Sequence, residues 1–189
     1  MKKGLTLLVC VGLLSTSLMA RGHHRHHNHN KGNSVAQTQQ AVVELTKEQE
    51  EALLFMYQEE KVARDVYTVL GKKWKLRVFK NIQRSEQRHM DAIRSLLEKY
   101  DLPIPAIDDE IGSFDNEDLQ ALYNQLVDLG LVSKEEALKV GVTVEETDIA
   151  DLEERMQNAP DDVKKVFSHL LRASQNHLRA FNRNLDRLK

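Results

Sequence analysis

The sequence predicts an all-α fold: a bundle of four long helices, with a short extra helix in the long connection between the second and the third. Three observations carry this. Glycine (8) and proline (3) are sparse among 189 residues, whereas Leu, Ala, Glu, Lys and Gln abound, a composition that favours helix. Apolar residues recur three and four apart along the chain, with no strand-like alternation of useful length. Start and stop signals for helices bound the periodic stretches. With 41% hydrophobic and 30% charged residues, the chain is long enough for one domain with a real core, and 5% aromatics suit a bundle better than a sandwich.

Residues 1–20 read as a secretory signal: Lys2 and Lys3 precede an apolar run from Leu5 to Leu14, and Ser15 to Ala20 form a small, polar approach to cleavage. The run is too short for a membrane span, so no stable span is expected after cleavage, and the mature protein is expected to be secreted or periplasmic. Cleavage would remove Cys10, the only cysteine, and leave a thiol-free chain in an oxidising compartment. It would also take two of the 27 basic residues against 29 acidic ones, for a net charge of about −4. No basic stripe with interleaved aromatics appears, so no nucleic-acid partner is expected.

Residues 21–44 are polar and aperiodic and read as a flexible His/Gln-rich leader. The cluster His23, His24, His26, His27 and His29 is either an accessory metal-capturing tract or a solubilising tail, since imidazole-rich runs bind divalent ions with little selectivity. The domain proper is expected over residues 45–189. Its first helix opens at Thr46, which forms a capping-box pattern with Gln49, and runs to Leu70 with Gly71 as the stop. The second spans about Val78 to Tyr100, ended by Pro103 and Pro105. A loop over 101–115 leads into a short helix from Asn116 to Leu129, closed by Gly130. Ser133 with Glu136 opens the third long helix, which reaches about Gln157, and Pro160 marks the start of the fourth, which runs to about Leu188. A crossover of this length makes the second and third long helices parallel, which is the ferritin-like connectivity.

Charged residues interrupt the apolar stripes. Leu53, Met56, Glu60, Ala63, Tyr67 and Leu70 share one face of the first helix, but Phe55, Glu59, Val62, Val66 and Val69 form an equally apolar neighbour, so periodicity leaves Glu59 and Glu60 both open. In the second helix Glu86 and His89 stand at the centre of a line from Phe79 to Tyr100, an E-x-x-H pair one turn apart. The third helix places Glu145 and Asp148 in its stripe, and the fourth His177, with His169 off the stripe and solvated. An unpaired buried carboxylate costs several kcal/mol. Arginines such as Arg64, Arg88 or Arg172 are one remedy, and they would make the domain a metal-free interaction module. Two divalent cations are the other: Glu60, Glu86, Glu145 and Asp148 with His89 and His177 make the ligand inventory of a carboxylate-bridged dimetal centre.

The runs Glu59-Glu60-Lys61-Val62-Ala63-Arg64-Asp65-Val66-Tyr67, Ser85-Glu86-Gln87-Arg88-His89-Met90 and Ser174-Gln175-Asn176-His177-Leu178-Arg179-Ala180-Phe181 resemble a ferritin-like prokaryotic family, domain of unknown function 2202, and more distantly the rubrerythrins. The resemblance spans roughly residues 45–187. It implies Glu60 rather than Glu59, because a glutamate three residues before an Ala-Arg pair is the pattern. It likewise implies Glu86 and His89, Glu145 and His177 as ligands. Ser174 stands where the fourth-helix glutamate belongs, and Asp148 is the expected replacement. Carboxylate and imidazole ligands suit iron, with manganese or a mixed pair as the alternative. The expected activity is ferroxidase or peroxide-reducing oxidoreductase chemistry, with Tyr67 near the metals. Lacking rubredoxin-like cysteine pairs, the protein would need an external reductant. A non-enzymatic metal buffer or delivery protein using the histidine leader stands as the alternative, and a homo-oligomer is left open.

Overall fold

The computed structural model describes residues 44–105 and 110–189. Residues 1–20, read as a secretory signal, and the histidines His23, His24, His26, His27 and His29 lie outside the described residues. Five helices make up the described chain: α1 (Lys47–Trp74), α2 (Arg77–Lys99), α3 (Glu117–Gly130), α4 (Lys134–Met156) and α5 (Asp161–Asp186). There is no strand among the described residues, and none of these helices is long and apolar enough to cross a membrane.

The helix starts follow their capping chemistry. Thr46 and Gln49 form a full capping box: the Gln49 amide donates to Thr46 Oγ1 at 3.3 Å and the Thr46 amide to Gln49 Oε1 at 2.9 Å. Asn116 Oδ1 accepts from the Asp118 and Leu119 amides to start α3. Ser133 Oγ accepts from the Glu136 amide at 3.0 Å, but the return half of the box is missing because Glu136 pairs instead with Lys139 at 2.9 Å. Gly71 is not a stop. The helix runs one further turn to Trp74 and is closed by Lys75 in the left-handed conformation (φ 56°). A Cβ on Gly71 would lie 3.0 Å from Phe79 Cβ, so this glycine serves the close approach of α2 to α1.

The long helices pack as two antiparallel pairs, α1 with α2 and α4 with α5, each joined by a short turn. The pairs meet through α1 against α4 and α2 against α5, while α3 leans on α1 and α4. Tyr67 of α1 reaches Gly141 and Glu145 of α4, and Tyr100 at the end of α2 reaches Asp162 at the start of α5. Both neighbours therefore run antiparallel, and α2 and α4 point the same way across the connection that carries α3. Buried apolar residues form two clusters at opposite ends of this helical bundle. One gathers Val66, Tyr67, Leu70, Phe79, Ile82, Leu138 and Phe181. The other gathers Leu53, Met56, Ile93, Leu97, Leu152 and Phe167. Between them, at mid-length of all four long helices, lies a layer of buried polar side chains.

Candidate metal centre

That layer contains every residue the stripes single out. Glu60, Glu86 and Glu145 are each 2% exposed, and His89, Asp148 and His177 are buried with them. His89 Nδ1 stands 2.8 Å from Glu86 Oε2 and 3.1 Å from Glu60 Oε2. His177 Nδ1 stands 3.1 Å from Glu86 Oε1 and 3.4 Å from Glu145 Oε2. The two imidazoles lie side by side, centroids 5.7 Å apart and planes 22° from parallel. Glu86 thus presents one oxygen to each half of the site, Glu60, Glu86 and His89 on one side and Glu86, Glu145 and His177 on the other, and the ligand atoms of each half lie within 4.8 Å of one another.

These spacings suit cations. Ligands about 2.1 Å from an ion and at right angles to each other are separated by roughly 3.0 Å. Hydrogen bonding alone does not satisfy the layer: Glu60 Oε1, Glu86 Oε1, Asp148 Oδ1 and His177 Nδ1 are buried without a hydrogen-bond partner. His177 Nδ1 and Glu86 Oε1 approach each other, but off the axis a hydrogen bond needs. Among the described residues, Arg64, Arg88 and Arg172 do not supply the arginine remedy. Arg64 turns away to Asp65 and to Gln87 Oε1 at 2.8 Å, and Arg88 and Arg172 are exposed. One residue along α1 the same chain neutralises a buried charge fully: the Lys61 ammonium meets Asp65 Oδ2 at 2.7 Å and donates to the carbonyls of Glu110 and Ser113. Orphaned oxygens in the central layer are a property of that layer, not of the fold's ability to pair charge.

Without metal the layer holds protons. Burial drives the Glu60 carboxyl up to about 7 despite the nearby His89. Burial and the Glu86 charge together lift Glu145 to about 7. Burial alone would also raise Glu86, but the imidazoles of His177 and His89 close beside it outweigh this and hold it at about 2. His89 rises to about 11 and His177 to about 9 because their carboxylate neighbours outweigh the desolvation that would lower them. Asp148 is raised by burial and by Glu60, with the Ser174 hydroxyl beside it as a partial offset. Asp148 stands outside the two tight groups while facing Ser174, the position it was expected to replace. Tyr67 is fully buried and donates to Glu145 Oε1 at 2.7 Å, so it orients that carboxylate.

The family model described as "Uncharacterized protein domain (DUF2202)" matches residues 49–188, nearly all of the described chain. The chain belongs to this family. Uncharacterized protein MJ0754 of Methanocaldococcus jannaschii is 50% identical over 143 residues, covering 75% of this chain and 77% of that protein. The crystal structure of hypothetical protein MJ0754 from Methanococcus jannaschii superposes with a TM-score of 0.76 at 47% identity, covering 80% of this chain and 87% of that one. A DUF305 fragment from Deinococcus radiodurans shares the fold alone, with a TM-score of 0.58 at 15% identity over 77% of this chain and 99% of that one.

Within this DUF2202 chain, sequence reasoning left three buried charges without a role. Glu59, the residue periodicity could not separate from Glu60, is buried too, against Asp151 and Asp148 of α4. Its place in an otherwise apolar stripe was the available signal. Lys61 and Asp65, spaced four apart, carried the signature of a helical ion pair, but nothing in the sequence marks that pair as buried. His169 is exposed, as its position off the stripe required.

Proposed function

We propose that this protein is a ferritin-like four-helix bundle that holds two metal ions between its helices and works as an exported di-iron oxidoreductase. The observation that carries the reading is Glu86, a buried carboxylate whose two oxygens face two separate ligand groups. In this reading Glu60 and His89 would hold one ion and Glu145 and His177 the other, with Glu86 offering a carboxylate oxygen to each group. Asp148 supplies a fourth carboxylate from α4 in place of a glutamate at Ser174. Four carboxylates balance two divalent charges, which removes the desolvation penalty each acid carries alone. The parallel run of α2 and α4 across the α3 connection supports the ferritin-like arrangement.

An iron pair there would supply the electrons for reducing oxygen or peroxide. The chain's own part is to hold and orient. The apolar clusters above and below the layer exclude water. Tyr67 fixes Glu145 through its hydroxyl and is placed to donate or accept a proton at Glu145 Oε1. In this reading electrons return from an external reductant, and residues 1–20, read as a secretory signal, would send the protein to the secreted or periplasmic space. A second reading, a metal buffer or delivery protein, is favoured by the five histidines between 23 and 29.

Metal analysis of the chain lacking residues 21–31 tests the centre without the histidine tract. Two ions per chain are expected, none in Glu86→Ala, and rapid aerobic oxidation of added ferrous ion only in the former. A deletion chain that binds no metal would end the reading. Two ions without ferrous oxidation would leave the buffer.

A further inference from the structure

The central layer has an acidic annex between α1 and α4. Glu59, 9% exposed, sits against Asp151 and Asp148, and its Oε2 atom is buried without a hydrogen-bond partner. Asp148 Oδ1 is in the same condition, and its carboxylate lies next to Glu60 of the centre. Asp151 stands at the outer end with a quarter of its side chain (25%) in solvent. Its nearest cation, Arg155, lies 3.9 Å away, too far for a hydrogen bond, with its guanidinium over the Phe55 ring at 4.3 Å and its Nε buried without a partner. Phe55 and Glu59 are one turn apart on α1, and Asp148, Asp151 and Arg155 follow one another by single turns on α4. Carboxylates therefore step inward along one seam, from Asp151 at the surface through Glu59 and Asp148 to Glu60.

We propose that this α1–α4 seam is the path by which a divalent cation reaches the centre, with Asp151 as the outer acceptor and Glu59 as the buried transfer ligand. The proposal rests on the dimetal reading of the central layer. A closed bundle with a buried dimetal site needs a route past its apolar ends, and an ion stripped of water needs oxygen ligands at each step. The seam offers them in order, and its two orphaned oxygens are what such a step requires. The competing role for Glu59 is a neutral carboxylic acid that merely hydrogen-bonds Asp151. Glutamine preserves that shape and donor but cannot carry the charge, so Glu59→Gln separates the two.

The test uses the full-length chain stripped of metal and mixed with cobalt(II) alone, with loading followed by the visible absorption of bound cobalt and final content by elemental analysis. Glu59→Gln and Asp151→Asn should load about tenfold more slowly, the low end of what a focused field gives an on-rate. They should reach the wild-type metal content, and the exposed control Glu153→Gln should load at the wild-type rate. Wild-type rates in both seam variants, with the Glu86→Ala variant still losing core metal, would overturn the path and leave the dimetal reading standing. A lower final content in Glu59→Gln would make Glu59 a resident ligand and equally overturn the path. Equal cobalt in wild type and Glu86→Ala would remove the dimetal reading, and the path with it. Asp151→Asn lies at the rim and serves should Glu59→Gln fail to fold.

Discussion

Replacing Asp65 by alanine should be among the most damaging single changes away from the central layer. Lys61 and Asp65 are both fully buried on α1, with Nζ 2.7 Å from Oδ2. The ammonium uses its other donors on the carbonyls of Glu110 (3.1 Å) and Ser113 (3.0 Å) and lies 4.2 Å from the centre of the Phe114 ring. Asp65 also accepts from Arg64 Nε at 2.8 Å and from the Gly112 amide at 3.0 Å, so one carboxylate fastens the connection before α3 to α1. Removing it strands a buried cation, which costs about 3–5 kcal/mol, and the orphaned Gly112 amide adds to the same loss rather than counting separately. At about 2–4 °C per kcal/mol for a domain of this size, the melting temperature should fall by roughly 6–20 °C. The assay is thermal and urea unfolding followed by circular dichroism, with chelator throughout so that metal linkage does not mask the change. Converting the pair together, Lys61→Met with Asp65→Leu, should cost far less than Asp65→Ala, because no charge is left unpaired. A loss below about 1 kcal/mol in Asp65→Ala would mean that Lys61 reaches water, and the argument from its burial would be wrong.

Two further outcomes follow from the central layer and its packing. In the metal-free protein, Glu60 and Glu145 at about 7, and His89 and His177 at about 11 and 9, all lie above their unfolded values. Their stabilisation is complete below the unfolded values and is lost as pH rises through 7 and then 9 to 11, whereas that of Glu86, held at about 2, is lost only as pH falls toward 2. Protons and metal compete for the same atoms, so the drop in melting temperature caused by chelator should be larger at pH 8 than at pH 5.5; equal drops would show that metal does not displace these protons. Gly141→Ala would place a Cβ 2.5 Å from Phe181 Cε1 and crowd the carbonyl that Tyr67 approaches at 3.4 Å. Overpacking of about 1–3 kcal/mol should outweigh the roughly 1 kcal/mol gained by removing a helical glycine, so urea unfolding should show a net loss.

The sequence by itself determined the helices, their starts and the residues that break the apolar stripes. Periodicity and capping are local, and Thr46, Asn116 and Ser133 act within a single turn of chain. It also determined that acids and histidines fall at mid-length of each long helix, because a stripe position depends only on spacing. Tertiary structure decided the rest, because distance between helices is not encoded in spacing along any one of them. Only packing showed that Gly71 admits Phe79 instead of ending α1, that Arg64 serves Asp65 rather than the centre, and that Glu86 divides its oxygens between His89 and His177. The same holds for Glu59 and Glu60, adjacent in sequence and both buried. They differ in what faces them across the bundle, His89 for one and Asp151 for the other, and that partner is set by how α1 packs on α2 and α4.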